Sequence, residues 1–254
     1  MPVVLMAVAL PAYGEQPEEV VGLWSGRQTV RGVRDLPVIG ALDTRTDAWL
    51  LALIVRRDGL WRIEQTTCRV EIAEVAGVSV GFPTRTARLL GPVRIELAQG
   101  KDDVLHAAPW TSRLGEADLE GDGWPGVTLS VSAPLCSGKL AVASDTTTAA
   151  VVRRADEREL TLDLKVRVAQ RILATDGWCL SFAETSTTDD FTGTVRYEPL
   201  PEGASCAEVE ALPPLDRALP PLDRALPPLD RALPPLDRAL PPLDRALPPL
   251  DRAP

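Results

Sequence analysis

From Val20 to Tyr197 the apolar positions recur at every second residue. Leu160, Leu162, Leu164, Val166 and Val168 alternate with Thr161, Asp163, Lys165 and Arg167. Val127, Leu129 and Val131 alternate with Thr128, Ser130 and Ser132, and Val93, Ile95 and Leu97 with Arg94 and Glu96. A period of two buries one face of a strand and wets the other, which is the pattern of antiparallel sheets. It predicts nine strands, near 21–32, 46–56, 60–74, 92–98, 103–109, 126–133, 138–152, 157–174 and 190–198. Arg57-Asp58-Gly59 supplies a hairpin turn, because Asp-Gly accepts positive φ. Only Pro83 to Leu90 reads as helical, with a proline suited to a first helical position. Sequential strands, short turns and little helix predict an all-β domain of antiparallel strands, an up-and-down β-barrel or a sandwich.

Two irregularities sharpen this pattern. Trp61 and Ile63 are odd-numbered apolar positions, whereas Cys68, Val70 and Ile72 are even-numbered. The phase therefore slips within Gln65 to Thr67, and one extra residue there, a β-bulge, keeps both sets facing inward. On that reading Cys68 lies on the core side. The segment Ala48 to Val55, AWLLALIV, is apolar on both faces, so its outer face needs a cover. The candidates are the short helix, a second subunit, the leucines of the C-terminal tail, or a loop over a central strand.

Composition narrows the function classes. The chain has 254 residues and a net charge of −9, and Leu212 to Pro254 uses only Leu, Pro, Asp, Arg and Ala. The folding unit is thus the stretch before Leu212, enough for one core. An acid surplus without a Lys/Arg cluster argues against nucleic acid and anionic membranes as partners, because both need a concentrated positive field. The opening MPVVLMAVALPAYG has an apolar run from Val3 to Leu10 and then small residues, the form of a secretory signal cleaved after Gly14, although the basic n-region is missing. The alternative is a short buried N-terminal strand. The run is too short to span a bilayer. Cys68, Cys136, Cys179 and Cys206 contain no CxxC pair, so a zinc knuckle is excluded and two disulfides of an exported protein are the economical reading, against buried thiols in a cytosolic one. Spacing leaves all three pairings open.

One loop carries candidate chemistry. Asp118, Glu120 and Asp122, followed by Gly123-Trp124-Pro125-Gly126, put acids at positions 1, 3 and 5 of a possible calcium loop. Position 12 is Leu129, not the bidentate glutamate of an EF-hand, so a distant carboxylate (Asp102, Asp103, Asp189 or Asp190) or water has to complete the set. The cofactor expectation is accordingly none, or calcium. Enzyme chemistry has little to stand on. The single histidine, His106, lies between Leu105 and Ala107 in an expected strand, no Gly-x-Ser-x-Gly nucleophile occurs, and no Gly-rich phosphate loop follows a strand.

The acid-x-acid-Gly-Asp-Gly-x-Pro-Gly-x-Thr run, with Pro37-Val38-Ile39-Gly40 and Cys68-Arg69-Val70, resembles a group of secreted β-rich proteins of myxobacteria and related environmental bacteria that has no assigned activity. The likeness covers about residues 24 to 206. It implies a lipocalin-like barrel, a Cys68–Cys206 bridge and, by remainder, Cys136–Cys179. The Gly-x-Trp motif of true lipocalins is approached by Gly22-Leu23-Trp24, which would place Trp24 as a plug in the barrel floor.

The tail is six copies of Leu-Pro-Pro-Leu-Asp-Arg-Ala. Each Pro-Pro removes two amide donors and costs a helix roughly 3 kcal/mol or more per proline, so the period of seven is not a coiled coil. Arg217-Ala218-Leu219-Pro220-Pro221-Leu222 resembles an SH3 ligand core, but Asp223 stands where the next proline belongs. A spacer reaching a cell-surface partner, or a duplication without function, are the readings for it. For the domain, the expectation is a secreted, non-enzymatic barrel holding a small apolar ligand among inward positions such as Leu51, Leu53, Val70, Leu129, Leu162 and Val166. The alternative is a structural or adhesive envelope module stiffened by calcium and disulfides.

Overall fold

The computed structural model describes residues 19–36, 40–57, 60–100, 104–181 and 186–212. The expected signal segment, the Asp58-Gly59 turn, Asp102 and Asp103, and the repeats beyond Leu212 lie outside these residues.

The strands are β1 (Glu19–Leu36), β2 (Gly40–Arg57), β3 (Leu60–Ile72), β4 (Ser79–Gly81), β5 (Val93–Gln99), β6 (Leu105–Leu114), β7 (Val127–Ala133), β8 (Cys136–Ala155), β9 (Leu160–Asp176) and β10 (Ser186–Pro199). Two short helices, α1 (Thr84–Leu89) and α2 (Cys206–Glu210), and a single 3-10 turn at Trp178–Leu180 complete them. The strands form one antiparallel sheet of order β4-β7-β8-β6-β5-β3-β2-β1-β10-β9, and a further pairing of β8 with β9 joins the ends into a ring of eight. The fold is therefore a closed barrel. β8 makes this possible by its length. One of its edges is shared by β7, opposite Cys136–Val142, and β6, opposite Ser144–Val151, while its other edge pairs with β9 from Lys139 to Ala155. β4 then extends the β7 branch.

The register fixes which residues face the interior, because residues directly opposite one another in an antiparallel pair share a face. Ile54 lies opposite Ile63, Ile63 opposite Ile95, Leu162 opposite Val195, and Leu160 opposite Tyr197. These side chains and Trp24 are almost wholly buried in one cluster with Leu50, Leu97 and Leu164. Trp24 is thus part of the interior core. Gly26 faces the same space, and an added Cβ would sit 2.8 Å from the Tyr197 ring, so glycine here is what lets that ring lie flat against β1. The Tyr197 hydroxyl donates to Oε1 of Gln65, and full burial of the phenol pushes its pKa far above the ordinary value.

Toward the other end the inward positions become small or hydroxyl-bearing. Thr46 faces Val30, Thr148 faces Val166, and Ser112 faces Thr146. Arg34 and Asp189, 3.0 Å apart, form an ion pair there, on the strands that also carry the inward-packing Val30 and Phe191.

The expected bulge is present but its occupant differs. Register shifts between Trp49 and Leu50, so that Trp49 pairs with Arg69 and Leu50 with Thr67, and Cys68 is the extra residue. Val70 regains the inward phase opposite Ala48, as expected. Cys68 itself turns outward, a correction to the core-side placement. It is fully buried all the same, in an outer cluster with Trp49 and Val209, against which Leu51, Leu200 and Cys206 pack. The cover over the outer face of β2 is thus α2, a helix the alternation pattern does not reveal. Cys68–Cys206, with Cα atoms 5.3 Å apart, rivets it there, and Trp49 Nε1 donates to the carbonyl of Leu212 at 3.3 Å. Cys136–Cys179 ties the start of β8 to the 3-10 turn, so the two bridges are those the resemblance implies.

Outside, the barrel is charged. Outward positions of β9 and β10 carry Asp163, Lys165, Arg167, Arg171, Asp190 and Arg196, many in ion pairs such as Arg153–Asp163 and Arg167–Asp190. A membrane barrel needs an outward apolar band, and these faces are the reverse. Among the described residues no helix is long and apolar enough to cross a membrane.

Candidate functional site

The acidic loop between β6 and β7 is organised by its own backbone. Asp118 Oδ1 accepts from the N–H groups of Glu120, Gly121 and Asp122 at 3.2, 2.7 and 3.2 Å, and Oδ2 from Gly123 at 2.8 Å. The amide of Gly123, first among these donors, holds the Asp118 carboxyl below its usual range. Gly123, at φ +87, supplies the left-handed turn that aims its N–H inward. Asp122 accepts from the Trp124 N–H at 3.0 Å. Glu120 turns the other way, accepting from the Thr128 N–H at 2.8 Å and from the Thr86 hydroxyl, which docks α1 against the loop. The three carboxylates therefore each serve a different set of N–H or O–H donors. Of the four expected distant partners, two lie among the described residues. Asp189 pairs with Arg34 and Asp190 with Arg167. Among the described residues no three acid, histidine or cysteine side chains converge as a metal group.

The six expected lining positions divide. Leu162 and Val166 belong to the interior cluster, and Val70 faces inward. Leu51 and Leu53 are corrected to the outer face: Leu51 packs under α2 and Leu53 is 43% exposed. They are odd-numbered residues of a strand whose even-numbered residues, Leu50, Ala52 and Ile54, point in, and a strand apolar on both faces gives no internal signal of which set that is. Leu129 packs in a separate cluster with Val127 and Val142, beneath Val80 and Phe82.

The interior at the Trp24 end is filled, and a concavity lies outside it, at the mouth of that end. A recess of about 650 Å³ is lined by Arg56, Trp61, Gln99, Leu105 and the β8–β9 hairpin at 155–158. Three hairpin ends build it. Arg56 lies opposite Trp61 at the β2–β3 end, Gln99 opposite Leu105 where β5 meets β6, and Ala155 opposite Leu160 where β8 meets β9. Leu97 and Leu160, both fully buried, form the layer beneath. The volume falls in the range of small-molecule sites.

The charges around the recess are unequal in what they already do. Asp156 Oδ1 accepts from the N–H groups of Arg158 and Glu159 at 2.8 and 2.9 Å, and Oδ2 from Arg154 Nε at 2.7 Å. These contacts, the Arg158 amide first, hold its carboxyl below the usual range and fasten the hairpin. Arg56 sits with its guanidinium 5.5 Å from the Trp61 ring centre, a cation–π contact. The sequence alone does not single out these residues, because only ring closure brings the three hairpin ends together. His106 lies on β6 opposite Ala98 and Val151, on the face away from the recess side chains Gln99 and Leu105.

No family model, curated protein or solved structure matches this chain, so the mouth of the barrel is the ground for a functional reading.

Proposed function

We propose that the protein is a secreted binding barrel, without catalytic activity, that holds a small molecule at its mouth. The observation that carries this reading is the recess of about 650 Å³ walled by Trp61 and Leu105 over a filled interior. A site of mixed lining, apolar below and charged at the rim, suits a ligand with an apolar body and a polar end. The two disulfides, one of them holding α2 on the barrel wall, fit the oxidising compartment of an exported protein.

A second reading, a rigid structural module of the cell envelope, is favoured by the same filled interior. Native mass spectrometry of the full chain, incubated with a small-molecule extract, separates the two. One equivalent of an organic molecule retained by the wild type and lost in Ala155→Trp, which fills the recess, supports binding. A bare mass for both proteins supports the structural module.

A further inference from the structure

We infer that the recess takes an organic anion, with a carboxylate, sulfonate or phosphate head on an apolar body, and that Arg56 and Arg158 fix the head. The inference rests on the mouth being the binding site, and it names the ligand chemistry.

It comes from a contrast between two arginines with the same aromatic support. Arg69 lies 4.9 Å from the Trp49 ring centre and Arg56 5.5 Å from that of Trp61. Such a stack engages the face of the guanidinium and leaves its in-plane N–H donors available. Arg69 gives a donor to Glu71. Arg56 makes no ion pair among the described residues, and neither does the Arg158 guanidinium. Many other arginines are paired, among them Arg27 with Glu198, Arg62 with Glu96 and Arg94 with Glu64.

Two acids share the recess with them. Asp156 is engaged by Arg154 at 2.7 Å and by two backbone amides, which leaves Glu157 as the lining acid not so held beside the two guanidiniums. Arg56 itself is exposed, and its cation–π contact with the buried Trp61 indole orients the guanidinium at the recess. Leu105 and Ala155 offer the wall for the apolar body.

The test compares two fluorescent probes with the same aromatic body. 8-Anilinonaphthalene-1-sulfonate carries the anion, and N-phenyl-1-naphthylamine lacks it. Fluorescence titration of the full chain is expected to show at least roughly 10-fold tighter binding of the sulfonate, displaced by decanoate and weakened by sodium chloride. Arg56→Gln is expected to weaken it roughly 10-fold and Arg56→Gln with Arg158→Gln roughly 100-fold, with the neutral probe unaffected. Arg56→Lys, which keeps the charge and loses the fork, should fall between. Should Arg56→Gln unfold the barrel, Arg158→Gln at the exposed hairpin carries the comparison. Equal affinity for the two probes, or variants that bind the sulfonate as the wild type does, overturns the anion inference and leaves the mouth as a site. Binding of neither probe, or binding indifferent to Ala155→Trp, removes the mouth reading itself.

Discussion

The hydroxyl of Tyr197 on β10 donates a hydrogen bond to Oε1 of Gln65 on β3, two buried polar groups satisfying each other inside an apolar barrel. Removing one partner leaves the other buried and unmet, which costs more than the bond contributes. Tyr197→Phe is expected to lower stability by about 1–3 kcal/mol, and Tyr197→Phe with Gln65→Leu by less than the sum of the two single changes. Urea denaturation of the four proteins checks this, and strictly additive losses would refute it.

Gly26 is held to glycine by the aromatic ring above it. Gly26→Ala places a methyl 2.8 Å from the Tyr197 ring, whereas Gly91→Ala meets nothing within 4 Å. The first change is expected to destabilise by about 1–3 kcal/mol and the second to stay within about 0.5 kcal/mol of wild type. Thermal midpoints that move equally would show that the ring shifts freely.

The disulfides differ in what they hold. Cys68–Cys206 closes 138 residues and Cys136–Cys179 closes 43. In the chain-entropy account their removal costs about 5 and about 4 kcal/mol, a small difference in stability. The difference in place is larger. Cys68→Ala with Cys206→Ala releases α2 from Trp49 and should shift tryptophan emission to the red before global unfolding, whereas the other double variant should leave Trp49 emission intact until the barrel melts.

Asp118 ties its loop to pH. Its folded pKa lies below the unfolded value of about 3.9, so the stabilisation is present above that pH and is lost as pH falls through the lowered folded value. The thermal midpoint of the wild type should drop more steeply below about pH 4 than that of Asp118→Asn, which cannot offer both oxygens as acceptors. Superimposable curves would show the loop to be irrelevant to stability. Because Asp118 already accepts four amides, millimolar calcium is expected to leave the wild-type midpoint unchanged, and a rise that Asp118→Asn abolishes would establish the metal.

Much of the fold is legible in the alternation along the chain. Leu160 to Val168 and Val127 to Val131 predict strands that are found as β9 and β7. The ends of strands were harder to read. β1 runs to Leu36 and β2 starts at Gly40, because the pair twists on past the barrel wall, where no core imposes a period. β6 runs on to Leu114 although Pro109 suggests an end. The proline falls at an irregularity between Ala107 and Trp110, where it surrenders no ladder bond. β4, of three residues, is too short to alternate at all. α2 did leave a trace, since Ser205 and Glu208 have the spacing of a capping box, and Glu208 accepts from the Ser205 N–H at 2.9 Å. The mouth left none. Arg56 and Arg158 are ordinary hairpin residues until strand ends far apart in sequence meet.

The ring is shut along β1 and β10, where Ser25 and Glu198 face each other across 173 positions of sequence. Every other join in the ring links strands close in the chain, so this one waits until nearly the whole domain has emerged from its point of synthesis or export. Until then β1 and β9 each present a raw row of amides and carbonyls, the template on which chains pair with one another. Closing the ring removes both of those rows, so only the newborn chain presents them before the last strand slots home, while the short β4–β7 branch keeps an edge of its own.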